Sequence, residues 1–213
     1  MMRECLSIEE HILDVLRCEG LVALPTPTVY GVAVLATSTA AIDTLLAAKH
    51  RPVGNPLAVC VFSPDDARKY ADISPLAQRL MDVFWPGPLT LVLPARTDHG
   101  LSPHTISSFR TIGLRCPKSS WVDAFKARGF TTPLVLTSAN ISGETPPIRA
   151  RDISENLRTH LGAILDDGPS NIGRASTVIS VDKDTIKILR TGAISEQTLQ
   201  KHVAHMSGIK ECV

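Results

Sequence analysis

The sequence predicts a single α/β domain in which a twisted sheet of mixed parallel and antiparallel strands is flanked by helices. Short apolar runs alternate with amphipathic segments of helical period along the chain, a pattern typical of this class. Several connections are too short for a crossover, so part of the sheet must be antiparallel. A length of 213 residues and an apolar fraction of 44% suit one domain with a well-formed core.

The first predicted helix, 7–18, shows how the helices are recognised. Ser7 can cap it, Glu10 follows three residues later as in a capping box, and Gly20 ends it. The other predicted helices cover residues 39–49, a segment opened by Ser63 and Pro64, 74–84, 121–128 and 152–161.

Strands are predicted where short apolar runs are bounded by Gly, Pro or polar residues. They cover residues 21–24, 29–35, 57–62, 89–94, 111–115, 134–137 and 163–165, followed by a hairpin of 176–181 with 185–189. The turn 85–88 and the segment 95–109 are expected to be irregular. Residues 1–213 are interpreted as one domain, with its motifs in 21–192 and a partly helical tail in 193–213.

The charge balance and the cysteines restrict the class of function. The chain has 22 Lys and Arg against 21 Asp and Glu, which disfavours a protein dedicated to nucleic-acid binding. Five scattered cysteines without CxxC spacing indicate reduced, buried thiols rather than a zinc site. The N-terminus lacks a signal-peptide pattern, and no stretch approaches the roughly 20 apolar residues of a membrane span. We therefore expect a soluble cytoplasmic protein with no membrane partner.

Loops with small polar or basic side chains follow several of the apolar runs, and strand ends are where α/β sheets bind ligands. The loop 25–31 could hold a small polar ligand or form an ordinary proline turn. In the second loop, Lys49 and Arg51 could converge on one polyphosphate, beside the fixed amide of Asn55. The same two cations would also be favoured at a solvated helix C-terminus.

Four further groups of residues carry candidate chemistry. The loop 137–143 resembles an anion-binding turn, although an ordinary polar turn fits as well, and no Walker A or Rossmann motif occurs. The segment 174–178 and Arg190 supply hydroxyls and arginines. Arg115 ends an alternating strand, so its stem is expected to be partly buried and its head to need a partner. Asp166–Gly168 could hold Mg²⁺, but a turn is favoured.

In order and spacing, these segments resemble the YrdC-type threonylcarbamoyl-AMP synthases over residues 21–192. The combination of Lys-x-Arg, Ser-x-Asn and the PGPLT turn is specific to that family. The matching stretches are PTPTVYG (25–31), KHRPVGNPLAV (49–59), FWPGPLTLVLP (84–94), TIGLRCP (111–117), TSANISG (137–143), ASTVI (175–179) and LRTG (189–192).

The resemblance implies a YrdC-like fold and a reaction. L-threonine takes up bicarbonate-derived CO₂ as a carbamate, which attacks the α-phosphate of ATP and expels pyrophosphate. Catalysis would then consist of positioning and charge neutralisation, with no nucleophilic side chain. Mg²⁺ is implied as the companion of ATP, with its ligands unknown and largely phosphate oxygens and water.

Roles for individual residues follow from the same resemblance. The catalytic set is Lys49, Arg51, Ser138 and Asn140. ATP would contact Lys49, Arg51, Asn55, Thr111, Ser138, Asn140 and Arg190. L-threonine would contact Thr28, Tyr30 and Arg115, with Ser176 or Thr177 helping to position it. A downstream threonylcarbamoyl-transferase complex would pass the group to the adenosine next to the tRNA anticodon, so tRNA is an indirect partner, with weak direct RNA binding.

Two departures from the family pattern keep alternatives open. Pro27 stands where an acidic residue usually separates the two threonines, and the sequence extends only about twenty residues beyond LRTG, as in short, single-domain members. One alternative is a YrdC-fold protein that binds double-stranded RNA without this activity. The other is a carbamoyl-adenylate synthase acting on another amine or on carbamoyl phosphate.

Overall fold

The structure, a computed structural model, describes residues 7–52 and 54–207, with side chains described up to residue 202. The helices are α1 (Ile8–Arg17), α2 (Thr39–Ala48), α3 (Pro75–Phe84), α4 (Ser120–Ala127), the single turn α5 (Glu155–Arg158) and α6 (Glu196–Ser207). The strands are β1 (Leu21–Leu24), β2 (Gly31–Leu35), β3 (Val59–Cys60), β4 (Leu89–Pro94), β5 (Thr111–Arg115), β6 (Leu134–Ser138), β7 (Leu161–Ile164), β8 (Thr177–Asp182) and β9 (Thr185–Arg190).

All nine of these strands form one sheet, in the order β7-β1-β2-β6-β3-β5-β4-β8-β9. The pairs β1–β7, β3–β5 and β4–β8 are parallel. The other neighbouring pairs are antiparallel, among them the predicted hairpin β8–β9. The predicted α/β class with a mixed sheet flanked by helices is confirmed.

Serine side chains cap the N-termini of α1, α2 and α3. Ser7 and Glu10 form the predicted capping box of α1, with Ser7 N donating to Glu10 Oε2 at 2.9 Å and Glu10 N donating to Ser7 Oγ at 3.2 Å. Ser38 caps α2 and Ser74 caps α3, where Pro75 occupies the first turn. Each hydroxyl satisfies a backbone N–H that has no partner within its helix.

The helices cover the two faces of the sheet unequally. On one face, α2, α3 and α6 bury side chains such as Leu45, Leu80 and Leu199 against the strands. On the other face, α1 and α4 form a smaller cluster around Ile12 and Trp121, which reaches only as far as β6 and β3. The second face therefore stays free of a helix over β5, β4 and β8.

Some predicted boundaries were wrong, for local reasons. The run 57–62 is buried, but only Val59 and Cys60 pair in the sheet. Strand β2 begins at Gly31, not at residue 29, because the preceding residues form a hydroxyl-stabilised turn. The segment opened by Ser63 and Pro64 is a short 3-10 helix, Asp65–Lys69.

The predicted helix 152–161 was also wrong. It divides into a 3-10 turn, Ala150–Asp152, and the single turn of α5, separated by the extended backbone of Ile153. Leu161 belongs to β7, where it pairs with Leu21. Apolar residues at helical spacing produced the prediction, and strand pairing with β1 overrode it.

The structure tests the predictions for the cysteines and for membrane-spanning segments. Cys60 and Cys116 are buried as predicted, whereas Cys18 is exposed, because it caps the solvent-facing end of α1. Cys5 and Cys212 lie outside the described residues. Within 7–52 and 54–207, no helix has both the length and the hydropathy needed to cross a bilayer.

Candidate active site

A cleft of about 450 Å³ lies on the face of the sheet that the helices leave open. Along β5, Thr111, Gly113 and Arg115 are half-buried and alternate with fully buried neighbours that face the core. Gly113 has no side chain, and its neighbours on the floor, Ala58 and Thr90, are small. The cleft therefore sits on the sheet face, and the polar loops found in the sequence form its walls.

Seven of the twelve predicted site residues line this cleft. Four of them lie on strands β5, β6 and β9, and three lie on loops next to strands or helices. They are Thr28, Arg51, Thr111, Arg115, Ser138, Ser176 and Arg190. Sequence motifs separated by more than 100 residues thus meet because β2, β6, β5 and β8 are close in the strand order.

Four basic side chains create a positive potential along the cleft. Burial lowers the pKa of each of them, Lys49 to about 8 and Arg115 to about 10. Repulsion from Arg51 further lowers the pKa of Lys49 and that of Arg190. Repulsion from Arg190 lowers the pKa of Arg115 in the same way.

These cations lack acidic partners. Among the residues that the structure describes, no Asp or Glu lines the cleft, and none forms an ion pair with Lys49, Arg51, Arg115 or Arg190. Buried positive charge without a counter-charge is costly in a folded protein. A cleft built in this way is suited to a multiply charged anion.

Lys49 stands behind the cleft wall and holds the loop after β6. Lys49 is only 2% exposed, and its Nζ donates to the backbone carbonyls of Ser138 and Asn140. The backbone N–H of Ser142 donates in return to the carbonyl of Lys49 at 2.9 Å. Lys49 therefore shapes the Ser-x-Asn loop directly and adds charge behind Ser138.

Asn140 closes the same loop and keeps one acceptor free. Its Nδ2 donates to the carbonyls of Ile141 and Glu144, both at 2.8 Å. Its Oδ1 is buried without a hydrogen-bond donor among the described residues. Asn140 lies behind Ser138 and does not line the cleft itself, and because an unpaired buried acceptor is unfavourable, this oxygen is suited to a donor from water.

A relay of two hydroxyls orients Arg115. Its Nε donates to the carbonyl of Gly87 at 3.2 Å, and its terminal nitrogens donate to Thr28 Oγ1 at 3.2 and 3.3 Å. Thr26 donates its own proton to the carbonyl of Val29 at 2.7 Å. The 2.7 Å bond between the two threonine hydroxyls must then be donated by Thr28. The direction of every bond is thereby fixed, and the guanidinium is held in place.

Ser176 and a β-bulge orient Arg190. Nε and Nη2 of Arg190 donate to the carbonyl of Ser176 at 3.2 and 2.9 Å, and Nη2 also donates to Ser176 Oγ at 3.1 Å. Val178 pairs with Arg190 while the next residue pairs with Ile188, so Leu189 is the extra residue of a bulge. The bulge allows two consecutive residues, Leu189 and Arg190, to line the cleft.

Three predicted contact residues lie away from the cleft. Tyr30 is fully buried, and its hydroxyl donates to the carbonyl of Gly168 at 2.7 Å. Thr177 is buried too, and its hydroxyl donates to the carbonyl of Ile194 at 2.7 Å. Asn55 is exposed beside a separate, smaller cavity. Tyr30 and Thr177 hold loops through these bonds, and binding roles for all three residues stay predictions.

Sequence reasoning missed several residues of the site. Thr26 was noticed only as part of its loop, and Gly113 only as part of a motif, although its place in an alternating strand signalled an open sheet face. Thr90 bonds to Ser176 Oγ at 3.0 Å, and it follows the PGPL turn directly. Phe109 lines the cleft from the segment expected to be irregular, where no pattern identified it.

The described residues offer no ready-made metal site. No group of three or more His, Cys, Asp or Glu side chains in this part of the chain is arranged to hold an ion. Asp166–Gly168 forms a turn in which Gly168 N donates to Asp166 Oδ1 at 3.1 Å.

Comparison with known proteins identifies relatives over most of the chain. The model of the Sua5/YciO/YrdC family, described as "Telomere recombination", matches residues 14–192. Threonylcarbamoyl-AMP synthase of Bacillus subtilis is 36% identical over 186 residues, which cover 87% of this chain and 53% of that protein. A putative threonylcarbamoyl-AMP synthase of Methanocaldococcus jannaschii is 30% identical over 196 residues, covering 90% of this chain and 91% of that one. The chain thus spans about half the length of the Bacillus relative.

Solved structures show the same architecture. Sua5 of P. abyssi complexed with L-threonine has a TM-score of 0.83 and 31% identity, covering 94% of this chain and 59% of that chain. E. coli YciO, at 21% identity, has a TM-score of 0.73 and covers 87% of this chain and 88% of its own, which is a likeness of fold. The expected YrdC-like fold is confirmed.

Proposed function

The chain belongs to the Sua5/YciO/YrdC family, as its motifs predicted, and we propose that it is an L-threonylcarbamoyladenylate synthase. This nucleotidyltransferase would form threonylcarbamoyl-AMP and pyrophosphate from L-threonine, bicarbonate or CO₂, and ATP. The observation that carries the proposal is the cleft without carboxylates, in which three arginines face the open space and Lys49 stands behind them. The names of the relatives and the L-threonine bound to one Sua5 structure support the choice of substrates.

L-threonine is assigned to the end of the cleft at Arg115. The guanidinium, held by Thr28 and the carbonyl of Gly87, offers a fork suited to the amino-acid carboxylate. Ser176, which lies on the cleft wall between Thr90 and Arg190, supplies a hydroxyl for the remaining polar groups of the substrate.

The triphosphate of ATP is assigned to Arg51, Arg190 and Ser138. The threonine amine adds to CO₂ and loses a proton, and a carbamate oxygen then attacks the α-phosphorus while pyrophosphate leaves. Negative charge spreads over the phosphate oxygens during this displacement, and fixed cations in a partly dry cleft stabilise it. Holding the two substrates in line supplies the rest of the catalysis, without a covalent enzyme intermediate.

Mg²⁺ is assigned to the substrate. Since the described cleft lining contains no carboxylate, the ion is expected to arrive with ATP and to keep phosphate oxygens and water as its ligands. Lys49 and Asn140 are proposed to keep the Ser138 loop in shape around the phosphates.

The product is a mixed carboxylic–phosphoric anhydride that reacts readily with nucleophiles. It suits transfer to a threonylcarbamoyl-transferase complex that modifies the adenosine beside the tRNA anticodon. In this scheme tRNA is an indirect partner, because the transferase complex binds it. A cytoplasmic location, where tRNA and reduced thiols are found, fits this role. Direct RNA binding is proposed to be weak, because the chain has a formal net charge of only +1.

The test is pyrophosphate release from ATP and bicarbonate, with and without L-threonine. We expect threonine-dependent release that falls at least 100-fold in Arg51→Ala, because an unpaired cleft cation is lost. The matched control is Arg149→Ala, which removes an exposed arginine that does not line the cleft. Release with another amino acid would support the other carbamoyl-adenylate reaction, which the proline at position 27 keeps open. Folded, ATP-binding protein without amine-dependent release would contradict both and favour the RNA-binding alternative.

A further inference from the structure

Phe109 presents an aromatic ring at the rim of the cleft. The residue is 88% exposed, although it lines the cleft with Thr111 and Arg190. The other four phenylalanines are buried or half-buried: Phe62, Phe84, Phe125 and Phe130. A large apolar side chain left in water beside a polar binding cleft is informative, because burial in the core is the ordinary state of such a residue.

A hydrogen-bonded turn orders the backbone that carries the ring. Arg110 N donates to the carbonyl of Ser107 at 2.9 Å, and Ser107 N donates to the carbonyl of Thr111, also at 2.9 Å. The hydroxyls of Ser107 and Thr111 are 2.7 Å apart, and Thr111 N donates to Ser107 Oγ at 3.1 Å. Arg110 adopts a positive φ of 55°, which completes the tight turn. Phe109 is therefore displayed by ordered backbone.

Strand β5 sets the distance between this rim and Arg115. Thr111 and Arg115 lie on the same side of the strand, four residues apart, which corresponds to about 13 Å. In the proposed function, Arg115 holds the amino acid, and the arginines at positions 51 and 190 hold the phosphates. The parts of ATP still without a partner are the polar ribose and the base, and only the base has two flat, apolar faces, with a polar edge.

We propose that Phe109 stacks on the adenine base of ATP and thereby makes the cleft select a nucleoside triphosphate over a bare polyphosphate. The inference rests on the proposed function and assigns one part of its substrate. A flat base would shield the exposed ring from water, and the hydroxyls of Ser107 and Thr111, which line the same cleft, can meet the polar edge. The fixed turn reduces the entropy lost on binding.

The experiment compares the binding of ATP with that of inorganic tripolyphosphate, by calorimetry, in the wild type, Phe109→Ala and Phe109→Trp. We expect Phe109→Ala to weaken ATP binding about 10-fold, within the range known for base–aromatic stacking, and to leave tripolyphosphate binding unchanged. Phe109→Trp should retain ATP binding, and its exposed indole should change fluorescence with ATP but not with tripolyphosphate. The native Trp85 and Trp121 are buried and contribute a constant background.

The matched control is Val83→Ala, an exposed apolar residue of α3 that does not line the cleft. Equal ATP affinity in wild type and Phe109→Ala would overturn the stacking proposal while the proposed function stands, and would point to a protein partner for the ring. Equal losses of ATP and tripolyphosphate would also overturn it, since the ring would then only support the rim. A wild type that binds neither ATP nor tripolyphosphate would reject the proposed function together with this inference.

Discussion

Individual residues of the cleft carry charges that the fold does not neutralise. Lys49 is the clearest case, because its ammonium is buried, donates only to backbone carbonyls and forms no ion pair with its charged neighbours, Arg51 and Glu144. Desolvation, followed by repulsion from Arg51, lowers its pKa to about 8. A lysine that is ready to lose its proton near neutral pH will keep it when a polyanion approaches, so ligand binding and protonation are coupled.

This coupling gives a pH prediction. Lys49 is mostly charged below its pKa of about 8, so the affinity for ATP, whose phosphates are already ionised in this range, should be highest below pH 8 and should fall as pH rises towards 9. Because a single proton is linked to binding, the fall is at most tenfold per pH unit. Lys49→Met should bind ATP more weakly, with a flat profile between pH 7.5 and 9, measured by calorimetry. The exposed control Lys118→Met should keep the wild-type slope. A flat wild-type profile would show that Lys49 does not act through its charge.

Strand β5 is the element that makes the site possible. Its two faces are chemically different: Ile112 and Leu114 point into the core, whereas Thr111, Gly113 and Arg115 line the cleft. The glycine in the middle leaves room above the sheet, because an added Cβ would meet its nearest neighbours only at 3.7 Å. The strand can therefore carry a ligand along its length without any rearrangement of the core.

Substitutions at Gly113 should separate binding from folding. Gly113→Ala is expected to fold with an unchanged or slightly higher melting temperature, since its Cβ fits and Gly weakens a strand. Gly113→Leu should also fold, but it would fill the cleft floor and weaken ATP binding more than 10-fold. Thermal unfolding and ATP calorimetry on both variants test this. Normal ATP affinity in folded Gly113→Leu would place the nucleotide elsewhere.

In the molecule as a whole, hydrogen bonds between loops hold the walls of the cleft in place. The loops after β6 and β7 are tied to the first motif, since Tyr30 N donates to the carbonyl of Pro147 at 2.9 Å and Ile172 N to that of Pro27 at 2.8 Å. On the opposite face, α6 packs on α3 and buries Leu199 in the larger core cluster. Over β5, β4 and β8, the large core cluster and the cleft thus lie on opposite faces of one sheet.

A core substitution on the far face should change stability alone. Leu199→Ala is expected to lower the free energy of unfolding by about 2–4 kcal/mol, because it removes a buried side chain that is 3% exposed. Its ATP affinity should stay within twofold of the wild type. Gln200→Ala, one residue along and exposed, should change stability by less than about 0.5 kcal/mol. Chemical denaturation and calorimetry measure both quantities, and a parallel loss of ATP affinity would show that the two faces are coupled.

The class of the fold, most of its elements and the motifs around the cleft could be predicted from the sequence. These features depend on local patterns, such as the capping box of Ser7 and Glu10 or the apolar run of β6, and on short motifs that the family shares. Boundaries failed where long-range pairing overrode a local pattern, as for Leu161 in β7.

Which of the predicted residues share the cleft depends on the three-dimensional fold. Lys49, Tyr30 and Thr177 carry suitable functional groups, yet these groups form their hydrogen bonds with distant loops, mostly with backbone carbonyls. Conversely, Gly113 and Phe109 acquire their importance from an open sheet face and from a turn at its rim. Strand order and side-chain direction arise from contacts between residues far apart in the chain, and no local pattern contains them.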